Sequence, residues 1–182
     1  MDVLEAIQTR RSVRKYKTTL VDDKTIEIVL EAARLAPSWA NNQCWKFIVV
    51  RDSQIKAELV GTLDVTNPAA AAVRDAPIVI VACAELGKSG YFHGELFTDK
   101  GEWYMFDVAL AMQNLVLAAE SLGLGTVHVA RFDAKRVESI LGVPEGSCVI
   151  EMTPLGYPDE EPVARPRKEL SELVFYEKYG LK

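Results

Sequence analysis

A mixed α and β domain, with helices flanking a small sheet, is the fold class this sequence predicts. Three observations predict it. Short apolar, β-branched runs of strand length recur along the chain. Between them lie segments whose apolar residues repeat at three and four positions. The 182 residues form one continuous stretch with no internal repeat, low-complexity tract or linker, which suits a single domain over 1–182.

Asp2 is placed to cap a short helix with Val3, Leu4, Ala6 and Ile7 on its buried side. A basic, extended stretch follows from Arg10 to Lys17. Asp22 or Asp23 caps a second helix, in which Ile26, Val29, Leu30 and Ala33 share a face and which stops at Ala36-Pro37. Phe47-Ile48-Val49-Val50 reads as a buried strand. Ser53 caps a helix through Leu63, and Thr66 to Asp75 reads as helical with Pro68 in its first turn. Ile78 to Ala82 is a second buried strand, and Leu86 to Gly101, with four glycines, reads as a long loop. The longest helix runs from Trp103 to Leu122 and ends at Gly123. Its apolar stripe exceeds one face, so it is central or packs against two partners. A strand near Thr126 to Val129, a helix from Asp133 to Leu141 and a strand from Cys148 to Thr153 complete the domain. The tail from Glu169 carries Leu173, Val174, Phe175, Tyr176 and Tyr179, too apolar to hang in water.

Composition narrows the function. Apolar residues make up 49% and charged residues 26%, an ordinary globular balance, and the net charge is -5. That charge argues against broad nucleic-acid or membrane-surface binding. Cys44, Cys83 and Cys148 have neither disulfide nor zinc spacing, which suits a reducing, cytoplasmic setting. The first residues lack the pattern of a signal peptide, and no apolar run reaches the roughly 18 residues that cross a membrane.

Four segments carry polar chemistry. In Arg10-Arg11-Ser12-Val13-Arg14, an extended chain puts Arg10, Ser12 and Arg14 on one side, a phosphate clamp or else a solvated basic run. Arg165-Pro166-Arg167 repeats the pattern near the other end, a second clamp or again a solvated segment; two such clusters in an acidic chain favour a shared anion. Pro37-Ser38-Trp39-Ala40-Asn41-Asn42-Gln43 offers hydroxyl and amide groups suited to a flat heterocycle, with Pro37, Trp39 and Trp45 as an apolar wall or as core. Gly123 to Phe132 joins a helix, a strand and a helix start, where backbone N–H groups can face a ligand. His128 in it reads as structural, because no neighbouring Cys or carboxylate completes a constellation. Motifs for a Rossmann site, a P-loop, a nucleophile elbow or a metal are absent. The profile is that of a bound cofactor doing the chemistry.

These segments, in this order from Arg10 to Lys168, resemble the nitroreductase family of FMN enzymes. Arg10-Arg11-Ser12-Val13-Arg14 looks like its Arg-x-Ser-x-Arg phosphate motif. Pro37-Ser38 through Asn41-x-Gln43 looks like its flavin loop, with Cys44 in place of the usual proline. Gly123-Leu124-Gly125-Thr126 and Phe132 resemble its segment beside the flavin, and Arg165-x-Arg167 its C-terminal clamp. The resemblance implies an α+β fold with a central, mostly antiparallel sheet flanked by helices. It implies an intertwined homodimer, FMN at the interface, a long helix at that interface and a tail (about 169–182) embracing the partner. It implies that Arg10, Ser12, Arg165 and Arg167 hold the phosphate and ribityl chain, with Arg11 a further cofactor-binding candidate. Arg14 would lie there or at the pyrimidine edge, and Pro37, Ser38, Asn41 and Gln43 against the ring. Ala130 and Arg131 would present backbone groups near N5, with Asn67 a further candidate. No catalytic side chain and no metal are expected. Hydride would pass from NADH or NADPH through the flavin to a nitroaromatic or quinone in a ping-pong cycle. A flavin-fragmenting or dehalogenating enzyme of the same fold, with the 87–101 loop as its lid, and a non-catalytic flavin binder are the rival readings.

Overall fold

The computed structural model describes residues 1–181. Four helices, those that follow Asp2, Asp22, Asp52 and Asp133, start where the aspartate takes orphan N–H groups of the first turn. Asp2 accepts from Glu5 N at 2.8 Å and opens α1 (Val3–Thr9). Asp22, rather than Asp23, caps α2 (Asp23–Arg34), accepting from Thr25 N at 2.9 Å. β1 (Trp45–Val50) leads to α3 (Ser53–Val60). The expected cap Ser53 is the first residue inside α3, because Asp52 reaches both Gln54 N and Ile55 N. The helix ends at Val60 rather than Leu63, and α4 (Ala70–Asp75) is shorter than the predicted 66–75. Asp64 and Asn67 hold that intervening stretch in turns by accepting from Thr66 N and Ala69 N.

β2 (Ile78–Glu85) is an interior strand of the sheet, buried along nearly its whole length. The predicted loop 86–101 contains a small hairpin, β3 (Tyr91–Phe92) and β4 (Glu95–Leu96), turned by His93 and Gly94, both with positive φ. α5 (Tyr104–Ser121), β5 (Gly125–Thr126), α6 (Ala134–Leu141), β6 (Ser147–Gly156) and α7 (Leu170–Leu173) follow. The predicted third strand is reduced to β5. It leaves the ladder after Thr126 and rejoins only through a bridge from Val129 to Met152.

The sheet runs β1-β2-β6-β5, antiparallel throughout. Alternation along β2 explains the two layers. Ile78, Ile80, Ala82 and Ala84 face a core built with α2 and α5. Val79, Val81 and Cys83 face the other, built with α3, α4 and α6. β6 carries an extra residue opposite β2 between Val149 and Glu151, a bulge at which the facing of its side chains changes. One expectation fails at the N-terminus: only Ala6 of α1 is buried, while Val3, Leu4 and Ile7 are exposed. Leu170, Leu173, Tyr176 and Tyr179 of the tail are also exposed. No helix among the described residues is long and apolar enough to cross a membrane.

Candidate functional site

The basic N-terminal stretch lies on the sheet edge. Ser12 bridges Thr126 in parallel, and Val13 N donates to Thr126 O at 2.9 Å. Val13 is buried against Gly125, where a Cβ would come within 2.8 Å of the valine side chain. Glu160 accepts from Arg14 N and Lys15 N, and Lys17 N donates to Tyr157 O. Tyr16 closes the arrangement from below: its hydroxyl donates to Val13 O at 2.7 Å. Burial pushes the Tyr16 phenol well above its ordinary range; Glu160 adds to this and Arg14 opposes it.

The strict alternation expected of this stretch is only partly present. Arg10, Arg11, Ser12 and Arg14 are all half-buried, Val13 is in the core and Lys15 is exposed. Arg11 turns back on its own backbone, donating to Gln8 O at 2.7 Å and Arg10 O at 2.9 Å. Arg14 is less completely satisfied: its Nη1 donates to Ser12 O at 3.4 Å, and its Nε is buried with no partner among the described residues. An unsatisfied donor on a permanent cation is costly, about 1–3 kcal/mol or more. The local structure is therefore matched to an acceptor, most simply an anion or a polarised carbonyl.

Arg14 lines a pocket of about 200 Å³ together with Asn67, Pro68, Ala69 and the segment 127–131. Four of the sequence-predicted residues, Arg14, Asn67, Ala130 and Arg131, thus meet. Asn67 ties the walls together: its Nδ2 donates to Arg131 O at 3.0 Å and its Oδ1 accepts from Ala69 N at 3.0 Å. The Arg131 guanidinium is held by Asp64 at 2.8 Å and Thr66 Oγ1 at 3.3 Å. The Thr66 hydroxyl and N–H, with Arg131 behind them, hold the Asp64 carboxyl down at about 2.

The 37–43 loop is built differently. Asp107, fully buried in the first turn of α5, accepts from Trp39 N at 2.9 Å and from Ser89 Oγ at 2.6 Å. The Cys44 thiol lies 3.8 Å from the same carboxylate. Ser38 Oγ accepts from Gln43 N at 3.0 Å. Ala40, Asn41 and Gln43 all have positive φ (46°, 56° and 52°), a left-handed backbone that costs non-glycine residues free energy and concentrates at functional sites. Pro37, Asn41 and Gln43 are exposed, Trp39 is half-buried, and Trp45 belongs to the core rather than to a free wall.

None of these loop residues lines the Arg14 pocket. Gln43 instead borders a larger groove of about 990 Å³ between α2 and the edge strand β1, with Ile28, Leu30, Trp45 and Phe47. The smaller pocket is the better candidate despite its size, because it gathers the predicted residues around the orphaned Arg14 donor. Arg165 and Arg167 lie outside both cavities. They are exposed in irregular chain, with one hydrogen bond from Arg167 Nη1 to Arg165 O at 3.5 Å.

Three participants were not apparent in the sequence. Asp107 and Glu160 act on segments 68 and 146 residues away. Glu151 binds His128 Nδ1 at 2.9 and 3.0 Å, which supplies the carboxylate that no sequence neighbour of His128 provides. The available signal was a lone acid inside the apolar run Cys148 to Thr153. Among the described residues no cluster of three or more His, Cys, Asp or Glu forms a metal site.

The family described as "Nitroreductase family" matches residues 7–157 of this chain. A relative from Methanothermobacter thermautotrophicus, provisionally named an NADH dehydrogenase/NAD(P)H nitroreductase, is 39% identical over 169 residues, 91% of this chain and 82% of its own. The solved nitroreductase family protein of Clostridium novyi NT is 31% identical, with a TM-score of 0.79 over 100% of this chain and 96% of its own. The NADPH:FMN oxidoreductase of Vibrio harveyi, solved with NAD+, is 29% identical, with a TM-score of 0.82 over 97% of this chain and 77% of its own.

Proposed function

The chain belongs to the nitroreductase family, and on that premise we propose that it is an FMN-dependent oxidoreductase. It takes hydride from NADH or NADPH and delivers it to an electron-poor acceptor such as a nitroaromatic or a quinone. The observation that carries the reading is the buried Arg14 Nε, without a partner among the described residues, at a pocket with Asn67, Ala130 and Arg131. A flavin's carbonyl-rich edge and its phosphate are the acceptors such a donor set suits. FMN, when bound, supplies the two-electron hydride chemistry; the protein supplies binding, orientation and electrostatics.

Each residue has a role in this proposal. Arg10 and Ser12 would face the phosphate and ribityl chain, joined by Arg165 and Arg167, while Arg11, turned back onto Gln8 O and Arg10 O, would support the stretch that carries them. Arg14 would donate to the pyrimidine edge of a bound ring, where a fixed cation would favour negative charge. Backbone groups of Ala130 and Arg131 would face the bound ring. Pro37, Ser38, Asn41 and Gln43 reach a ring held by the partner chain of a homodimer, which accounts for their separation from Arg14 in one chain. A cytoplasmic, reducing setting suits the three unpaired cysteines.

The test is a visible spectrum of the purified protein, followed by anaerobic addition of NADH and of NADPH. Flavin absorption that bleaches with either donor is the expected result and names the donor. A protein that takes up no FMN, or whose flavin stays oxidised with both donors, overturns the proposal.

A further inference from the structure

Asp107 is a fully buried carboxylate in the first turn of α5, and the proposed hydride chemistry gives it no part. Burying such a group is costly unless donors surround it, so its partners show what it holds. Oδ1 accepts from Trp39 N at 2.9 Å. Oδ2 accepts from Ser89 Oγ at 2.6 Å and faces the Cys44 thiol at 3.8 Å. Trp39 and Cys44 bracket the stretch in which Ala40, Asn41 and Gln43 have positive φ. The carboxylate therefore grips the strained segment at both ends, from a helix turn that is itself in the core.

Between those two points the loop is tied to itself. Ser38 Oγ accepts from Gln43 N at 3.0 Å, and Asn42 Oδ1 accepts from Cys44 N at 3.0 Å. Glu85 N donates to Cys44 O at 2.8 Å, which joins the end of the loop to β2. A proline at position 44, as the family pattern has, lacks both the N–H that Asn42 accepts from and the thiol that faces Asp107. Cys44 thus replaces a stiff ring by two polar contacts, one of which depends on Asp107. Left-handed residues other than glycine keep that form only while their surroundings over-determine it.

Ser89 gives the carboxylate its orientation. It is fully buried at the base of the 86–101 segment, where its carbonyl accepts from Trp103 N at 3.1 Å. Next to it, Gly90 O accepts from Phe97 N at 2.8 Å, and a Cβ on Gly90 would come within 2.8 Å of Gly101 O. With Oδ2 held by this closely packed base, Oδ1 stays aimed at Trp39 N. The base of the hairpin, the start of α5 and the 38–44 loop are joined at one side chain.

We infer that Asp107 is a positioning residue of the flavin site. It sets the 38–44 backbone so that Ser38, Asn41 and Gln43 meet the ring of FMN, and Ser89 fixes it in the orientation that does so. It acts through Trp39 and Cys44 rather than on the flavin itself. The inference rests on the FMN reading above.

The visible spectrum of bound flavin at saturation, and the affinities for FMN and for riboflavin, which lacks the phosphate, test this. Asp107→Ala is expected to weaken both ligands by the same factor, about tenfold for one lost hydrogen-bonded anchor, because the loop serves the ring and not the phosphate. Its bound spectrum is expected to lose the resolved shoulder of the long-wavelength band as water reaches the ring. Asp107→Asn, whose side-chain carbonyl can still accept from Trp39 N, is expected to restore affinity and spectrum. Ser89→Ala leaves the carboxylate but frees it to turn; it is expected to show the same changes to a smaller degree, and it carries the test if Asp107→Ala does not fold. Val137→Ala, in the core on the other face of the sheet, controls for stability alone and is expected to melt earlier with a native flavin spectrum. Native spectra and affinities in the alanine variants at positions 89 and 107 overturn the inference while leaving the FMN reading intact. So does the same spectral change in Val137→Ala, an Asp107→Asn protein as impaired as Asp107→Ala, or a loss of affinity for FMN but not for riboflavin. A wild-type protein that binds neither flavin removes the FMN reading as well.

Discussion

Arg14 was legible in the sequence because a basic residue alternating with Ser12 in an extended stretch is a recognisable pattern. Its missing partner was not, because only packing shows that Nε is buried. Replacing Arg14 by Ala is expected to weaken FMN binding about tenfold to a hundredfold, the loss of one or two hydrogen bonds to a charged donor at about 1.5–3 kcal/mol in total. Flavin fluorescence titration measures this, and an unchanged affinity would remove Arg14 from the site. Cys44, which stands where the family pattern has proline, is a second residue whose chemistry is set by its surroundings. Burial first, and then the Asp107 carboxylate, push its thiol up to about 12, so the reactive thiolate is scarce at neutral pH. Cys83 is pushed up to about 11, chiefly by burial. Cys148 is half-buried and is the most accessible of the three. Iodoacetamide on the native protein at pH 7.5 should label Cys148 before Cys44 and Cys83, as peptide mass mapping would report; prior labelling of Cys44 contradicts the burial argument.

The elements themselves were mostly readable. Periodicity located α2, α5, α6 and the three longer strands, because an apolar face repeats at every turn or every second residue. Misplaced boundaries have local causes. Asp52 outcompeted Ser53 as a cap because its carboxylate takes two N–H groups at once. The hairpin inside 86–101 escaped because two-residue strands carry no pattern. The shortest element near the site, β5, depends on Gly125. Gly125→Ala would drive a Cβ into Val13, whose branched carbon cannot swing aside, at an expected cost of about 1–3 kcal/mol. Since Val13 is flanked by Ser12 and Arg14, the same change should loosen the pocket. A lower melting temperature together with weaker FMN binding is the expected outcome. Native stability and affinity in Gly125→Ala would show that the stretch does not depend on this contact.

For the whole molecule, most of the apolar residues of α1 and the tail that the sequence marked for burial are exposed in the single chain, with Ala6 buried and Val174 and Phe175 partly so. Val3, Leu4 and Ile7 stand open, as do Met105 and Phe106 at the start of α5 and Leu170, Leu173, Tyr176 and Tyr179 beyond β6. Apolar surface on this scale is what a second copy would cover. On the proposed homodimer, removing residues 164–182, and with them Arg165 and Arg167, should give a monomer in sedimentation experiments and release the flavin. A truncated chain that remains a flavin-loaded dimer would place the interface and the phosphate clamp elsewhere.

The sequence by itself determined the class of fold, most of its helices and strands, and the residue types at the Arg14 pocket. These follow from periodicity, caps and short motifs, all of which act within a few residues. Only the tertiary structure decided that Asp107 anchors the strained 38–44 loop, that Glu160 pins the arginine stretch and that Glu151 meets His128. Those partners lie 23 to 146 residues apart and are joined by strand pairing, packing and a one-residue bulge, none of which leaves a local trace in the chain.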